Sequence, residues 1–447
     1  MKKKINFLAL FLAVTTFVAI MYFPTFENHD AQKTLALLIM VAILWVSEAI
    51  PLALTGLLIP MAAILLQLVP PKEGFMEFSS PIIFLFMGGF VLAGALSKHA
   101  LDKMLALKLI KLARGNFYRS AVLLMLATSL VACWVSNTST VVMMIPLALG
   151  ILTLLKKEIV TNEAKFLMLG IAYAANIGGI LTIISSPPNA IGAEILEISF
   201  LDWIKYSLPI FLISFPIMVI VLTLYFKPSK KMRIGRMSFE RKQDAPIKTL
   251  IAIFTLIIGL WMLDGVIAPL LNIGSGFNAV VAVLGIFLIY ITGILSWKEI
   301  LKSINFDVLF LFGGGLTLGM LLVESGLGEL LVGSVSGLIE TVPLFLFLWI
   351  LVAFSIVLTE FMSNTASAAM MLPLLYAFAI QLNINPVILV LPATFAASYG
   401  FMLPAGTPPN ALVFSTGLVP QKDMLKAGLM LNLIFSLVLT TFFYFIS

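Results

Sequence analysis

The chain has 447 residues, of which 61% are apolar and 11% charged, and a formal net charge of +6. A soluble domain carries roughly a quarter charged residues, so a water-facing surface is excluded over most of this length and the solvent is lipid. The lone cysteine, Cys133, excludes an intrachain disulfide and cysteine-rich metal motifs. The basic residues lie in connections between apolar segments, not in basic and aromatic patches, so no nucleic-acid partner is expected.

Lys2, Lys3 and Lys4 precede an apolar run from Ile5 to Phe23, close to the ~20 residues that span a bilayer. Tyr22-Phe23-Pro24-Thr25-Phe26 offers no small-residue cleavage site. The run is therefore predicted to be a first transmembrane helix with its N-terminus inside, not a removed signal. The second span ends in WVSEAIP, where Glu48 reads as a structural cap at the interface. Residues 84–90, FLFMGGF, carry glycines suited to close helix packing. Lys98 and His99 open a basic stretch through Arg119, predicted to begin a cytoplasmic interfacial helix. Residues 120–155 are apolar but broken at Ser136-Asn137-Thr138-Ser139-Thr140, and basic residues flank both ends (Arg114 and Arg119; Lys156 and Lys157). Both ends are thus cytoplasmic, and the segment must enter the membrane and turn back. Pro187-Pro188 interrupts the next long apolar stretch, because proline lacks an N–H and cannot continue a helix. The segment Lys227 to Lys248 holds eight basic and two acidic residues and reads as a cytoplasmic linker.

The second half repeats the first. FLFMGGF at 84–90 returns as FLFGGGL at 310–316, SNTSTVVMMIP at 136–146 as SNTASAAMMLP at 363–373, and SPPNAI at 186–191 as TPPNAL at 407–412. The offsets are 226, 227 and 221 residues, in unchanged order. The basic stretch after FLFMGGF is answered, near 322–340, by Glu324, Glu329 and Glu340 with no basic residue. Equivalent segments then face opposite sides, the pattern of inverted-topology repeats.

The expected architecture is an all-α polytopic membrane protein with eleven spans, two re-entrant hairpins and two broken helices. Residues 1–33 form the first helix and loop. Residues 34–226 form repeat one, with a hairpin at 119–157 and a break near 185–189. After the linker at 227–248, residues 249–447 form repeat two, with a hairpin at 341–381 and a break near 406–410. This topology puts 24 of the 27 lysines and arginines inside, all but Lys33, Lys72 and Lys205, and the C-terminus outside.

Broken backbone at membrane depth survives only where protein buries it or it lines a cavity. The hairpin tips 136–138 and 363–365 and the breaks 185–189 and 406–410 are expected to converge. Their Ser, Thr and Asn side chains supply donors and acceptors, and half-helix N-termini suit carboxylates or sulfate. Freed carbonyls suit a hard cation such as sodium. No lysine or arginine lies in the four motifs, so co-bound cations would have to balance a dianion. Asn189 and Asn410 are open to two readings, as helix caps or as site residues. Glu360, whose counterpart is Cys133, reads as a structural hydrogen-bonding group with a proton or cation as the alternative.

The paired SNT motifs, SPPN and TPPN, WVSEAIP and the SKHALDK segment resemble the divalent-anion:sodium symporters, a family that includes bacterial sodium-dependent dicarboxylate and citrate carriers. The likeness runs from about Trp45 to Phe414. It implies import of C4-dicarboxylates with sodium across the bacterial inner membrane by an elevator movement, in a homodimer within the lipid bilayer. By motif, Ser136, Asn137, Thr138, Ser363, Asn364 and Thr365 would contact substrate, and Ser186, Pro187, Thr407 and Pro408 would line the same site. One sodium would use Ser136, Asn137 and the carbonyl of Ser185; the other Thr359, Asn364 and Gly406. Ala132 stands where the second half has Thr359, and Ser185 where it has Gly406. The alternatives within the family are a sodium-independent dicarboxylate exchanger and a sulfate or tricarboxylate carrier. An enzyme is not expected, since HExxH, paired aspartates within spans and a nucleophile beside a base are missing; a phosphate loop of the GxxxxGK type is missing too.

Overall fold

The computed structural model describes residues 6–23, 26–155, 161–234, 246–273, 276–331, 333 and 342–446. Lys156, Lys157, Glu340 and positions 235–245 of the linker lie outside them. Among the described residues there is no strand beyond one isolated bridge, Asn116 with Arg233. The helices are α1 (Phe7–Tyr22), α2 (His29–Ser47), α3 (Leu52–Leu65), α4 (Pro71–Gly74), α5 (Pro81–Lys98), α6 (Leu101–Leu112), α7 (Phe117–Ala132), α8 (Asn137–Thr153), α9 (Asn162–Gly178), α10 (Pro187–Ile195) and α11 (Phe200–Phe226). They continue with α12 (Pro246–Met262), α13 (Asp264–Leu270), α14 (Phe277–Ile291), α15 (Trp297–Ser303), α16 (Phe306–Glu324), α17 (Leu344–Phe361), α18 (Asn364–Gln381), α19 (Pro386–Ala396), α20 (Pro408–Ser415) and α21 (Gln421–Tyr444).

Side-chain caps start many of them. Asn28 accepts from the N–H groups of Asp30 and Ala31, Asn116 from Arg119, Thr161 from Ala164 and Ser199 from Asp202. These oxygens satisfy donors that the first helical turn leaves free. Among the described residues six helices are long and apolar enough to cross a bilayer: α2, α5, α11, α16, α17 and α21. The pair α12 and α13, bent by 77° at Leu263, can make a seventh. Here α17 is one arm of a hairpin. Eleven spans are reached by counting α1, α3, α14 and the two broken helices α9–α10 and α19–α20 with the rest. Helix α3, at 14 residues, rises only about 21 Å, so it crosses only with the turn that follows it.

Two tight crossings join the halves. Helix α3 packs on α16 and α5 on α14. A Cβ on Gly314 would lie 2.4 Å from the carbonyl oxygen of Gly56, and a Cβ on Gly88 would lie 2.8 Å from that of Ala282 and 2.6 Å from its Cβ. Residue 282 is 226 positions after 56, and 314 is 226 after 88, so one crossing is the counterpart of the other. The glycines of FLFMGGF and FLFGGGL thus do serve close packing.

The basic stretch differs from expectation at its start. Lys98 is the last residue of α5, His99 caps it, and the interfacial helix α6 begins at Leu101 after Ala100 takes a left-handed turn. Lys98 binds the Glu299 carboxylate at 2.7 Å and donates to the Ile294 carbonyl at 3.1 Å, tying α5 to α15. That lysine, with the Ser296 N–H and hydroxyl, holds the Glu299 carboxyl down at about 2. Glu48 follows the last turn of α2 in the left-handed region, φ 44°, consistent with a structural role at that helix end.

Candidate functional site

Each hairpin is two helices joined by a short polar turn. Helices α7 and α8 meet at residues 133–136, and α17 and α18 at 362–363. Ser136 caps α8 by accepting from the Ser139 N–H at 3.3 Å. Ser363 precedes α18 and makes no such bond. The broken helices open earlier than the proline pairs alone suggest: α9 ends at Gly178 and α19 at Ala396, leaving 179–186 and 397–407 to cross between half-helices.

A break frees carbonyls, and buried carbonyls need donors. Asn189 supplies them in the first half, its amide reaching the carbonyls of Gly179 and Thr182, both at 2.8 Å. Asn410 repeats this in the second half, with Gly400 at 2.9 Å and Leu403 at 3.0 Å. The partners lie ten and seven residues back in both cases. Asn189 and Asn410 are therefore braces of the breaks, a function that neither simple capping nor ligand contact describes. Further donors come from α11, where Trp203 Nε1 reaches Ile180 O at 2.9 Å and the Ser207 hydroxyl reaches Leu181 O at 2.8 Å. Tyr173 on α9 crosses to the other break and donates to Phe401 O at 2.8 Å.

The tips are tied to the breaks of their own half. Thr182 donates its hydroxyl to the Cys133 carbonyl. The Asn137 carboxamide lies against Gly179, where a Cβ would come within 2.4 Å of its Oδ1. In the second half Thr359 Oγ1 lies 2.7 Å from Asn364 Oδ1 and 2.8 Å from Ala397 O. Gly400 sits against both Gly406 O and the Thr359 methyl. Of the expected group, Thr359 and Asn364 are brought together, with Ala397 O beside them, and Gly406 lies one residue contact away, behind Gly400. For the first group the residue against the tip is Gly179, while the Ser185 hydroxyl turns back to the carbonyls of Gly179 and Thr182.

Glu360 is buried and fully engaged. Its carboxylate accepts from the N–H groups of Met402 and Leu403 at 2.7 and 2.9 Å and from Asn432 Nδ2 at 2.7 Å. This is the structural role, holding break two to α17 and α21. The two halves reach one end by different chemistry, since residues 133 and 182 are the counterparts of 360 and 403.

Among the described residues several buried polar atoms around the tips and breaks have no hydrogen-bond partner: Asn137 Oδ1, Thr140 Oγ1, Asn176 Oδ1, Ser186 Oγ and Ser367 Oγ. Thr140 and Ser367 are counterparts, one turn beyond each tip. A buried polar group left unpaired costs about 1–3 kcal/mol, so these atoms call for a partner, water or ligand, beyond the protein's own groups. Exposure is lopsided. Thr138 and Ser139 are exposed, whereas their counterparts Thr365 and Ala366 are half-buried and buried; Ala405 and Pro408 are exposed, whereas Ile184 and Pro187 are buried and half-buried. Ser136, Asn137, Ser363 and Asn364 are half-buried, and Ser185, Ser186, Thr359, Gly406 and Thr407 are buried. The open side is the one carrying hairpin one. A separate cavity of about 780 Å³ is lined by Pro81, Glu194, Glu197, Asp264 and Asn278 and includes no tip or break residue. Its carboxylates suit an anion poorly.

Asn176 and Tyr173 escaped the sequence reading. They lie one turn apart on α9, and the only local signal of a helix end there is the NIGG run that Asn176 opens.

The protein-family model described as citrate transporter matches residues 42–383. An uncharacterized transporter of Haemophilus influenzae is 42% identical over 98% of this chain and 96% of its own. The sodium-dependent dicarboxylate transporter SdcS of Staphylococcus saprophyticus is 33% identical over 96% of this chain and 88% of its own. Among solved structures, the Alcanivorax borkumensis YdaH transporter, whose topology is described as unusual, matches with a TM-score of 0.60 at 16% identity, covering 91% of this chain and 98% of its own. At that identity the likeness concerns the fold.

Proposed function

Because this chain belongs to the citrate transporter family, a family of membrane transporters and not of enzymes, we propose that it imports small C4-dicarboxylates, of the succinate, malate and fumarate class, together with sodium. The observation that carries this reading is the meeting of tips and breaks in a polar, cation-free cluster. Asn137 Oδ1, with no protein partner, and the set of Thr359 Oγ1, Asn364 Oδ1 and Ala397 O offer hard oxygens suited to sodium. The N-termini of α8, α10, α18 and α20 offer N–H groups and partial positive charge suited to carboxylates. Ser136, Asn137, Thr138, Ser363, Asn364 and Thr365, with Ser186, Pro187, Thr407 and Pro408, contact the dianion in this reading.

The halves are inverted repeats. The paired crossings of α3 with α16 and α5 with α14 support this, as does the packing of each short post-proline helix on the other half's hairpin, α10 on α18 and α20 on α8. The hairpins and breaks move together past α3, α5, α14 and α16 in an elevator step, in a homodimer of the inner membrane. The open side at Thr138 and Ala405 is then the cytoplasmic side. With a cysteine at residue 235 in a Cys133→Ser background, labelling is expected only from the cytoplasm; reaction with an impermeant reagent from outside would overturn the topology.

Ala132, which replaces the hydroxyl of Thr359 in the first half, favours sodium-independent exchange as the second reading. Uptake of labelled succinate into proteoliposomes separates them. Concentrative uptake that requires an inward sodium gradient is expected. Uptake that ignores sodium but needs dicarboxylate inside would establish the exchanger, and competition by sulfate or citrate alone would move the substrate elsewhere in the family.

A further inference from the structure

Thr407 caps α20 at the mouth of break two, and its hydroxyl is almost wholly buried, at 1% exposure. A hydroxyl has one hydrogen to donate and two lone pairs to accept with. Both acceptor positions are taken. The Asn410 N–H reaches Thr407 Oγ1 at 3.3 Å, and Asn176 Nδ2 reaches it at 3.1 Å from α9 of the other half. Among the described residues the hydrogen has no acceptor.

The first half lacks this arrangement. The counterpart of Thr407 is Ser186, whose buried hydroxyl has no partner, and the counterpart of Asn176 is Ala397, which has no polar side chain. Asn176 itself is fully buried and leaves its Oδ1 unpaired. Its place is thus explained by what it donates to Thr407, not by full satisfaction of its own amide.

We propose that Asn176 is a positioning residue that turns the Thr407 hydroxyl into a committed donor aimed at the transported anion, so that the two halves of the site grip their substrate unequally. With two N–H groups pressed on the oxygen, the hydrogen points away from both, and in this proposal an anion between tips and breaks is what receives it. An anionic oxygen there meets a donor that needs no reorientation. At Ser186 the hydroxyl is free to rotate and must be ordered by the substrate. The inference rests on the proposal that small carboxylates are bound here.

The test is a double-mutant cycle on the full chain, reading succinate affinity at saturating sodium. Asn176→Leu, which shares the branched outline of asparagine but makes no hydrogen bond, is expected to weaken binding about tenfold, the worth of one oriented bond to a charged group. The apo melting temperature and the sodium half-saturation should stay near wild type. In a Thr407→Val background the same change should alter affinity by less than about twofold, because the group it positions is gone. Equal losses in both backgrounds would show that Asn176 acts by packing, and unchanged affinity in Asn176→Leu would show that the hydroxyl needs no orienting; either overturns the proposal. Should leucine fail to fold, Asn176→Ala takes its place in the cycle. If wild type binds no succinate, the dicarboxylate reading fails by itself. The cycle is then run with whichever of malate, citrate or sulfate protects wild type from thermal unfolding. Protection by none of them overturns both.

Discussion

Replacing Asn364 by alanine is expected to cut sodium-dependent uptake at least about a hundredfold, since a hydrogen bond or ligand contact to a charged species is worth about 1.5–3 kcal/mol and each 1.4 kcal/mol is tenfold. The residue serves both ligands in the proposed site. Its Oδ1 lies 2.7 Å from Thr359 Oγ1, beside the Ala397 carbonyl, and its backbone opens helix α18. The fold should tolerate the change, because Thr359 keeps Ala397 O as a partner. The first-half counterpart makes a sharper comparison. Asn137 Oδ1 has no protein partner, so Asn137→Ala should abolish uptake to a similar degree without lowering the apo melting temperature. Transport by purified protein in liposomes, paired with thermal unfolding without ligands, reads both quantities. Wild-type affinity for substrate and sodium in both variants would remove the site described here.

The second large effect is structural. Gly314→Leu is expected to prevent folding, and Gly314→Ala to destabilise by about 3 kcal/mol, near the upper end for inserting a methyl into a filled contact. The reason is that the atoms in the way are backbone: a Cβ at Gly314 would lie 2.4 Å from Gly56 O and 2.5 Å from Gly56 Cα. No side chain can rotate aside, and α3 and α16 would have to separate. Gly259→Ala on α12 is the control, since its Cβ would meet nothing within 4 Å and a helix gains from losing glycine. Fluorescence-detected size exclusion after heating separates the two. A Gly314→Ala protein as stable as Gly259→Ala would mean that the α3–α16 contact is looser than described.

Much of this was legible because it is written in residue types. Polar SNT runs inside apolar stretches and proline pairs in mid-helix violate what a plain membrane helix requires, and each marks a turn or a break in the structure. The cap at Glu48 and the packing glycines of 84–90 and 310–316 followed from position and size alone. The extent of the breaks was less visible. Proline shows where the second half-helix starts, at Pro187 and Pro408, whereas the first half-helix ends at Gly178 and Ala396 without any residue that forbids continuation.

The partners of the freed backbone were not legible. Asn189, Asn410, Trp203, Ser207 and Tyr173 donate to carbonyls, and Glu360 accepts from backbone N–H groups. Every residue has such groups, so none advertises in the sequence that it will be left unpaired. Asn176 reaches Thr407 across 231 positions. The amino-acid sequence by itself determined that this protein lives in lipid, is duplicated, and breaks its helices at four polar places, because solvation and helix continuity depend on local residue type. Only the tertiary structure decided which side chains brace those breaks and which polar atoms remain free for ligands, because pairing depends on what distant segments bring within 3 Å of one another.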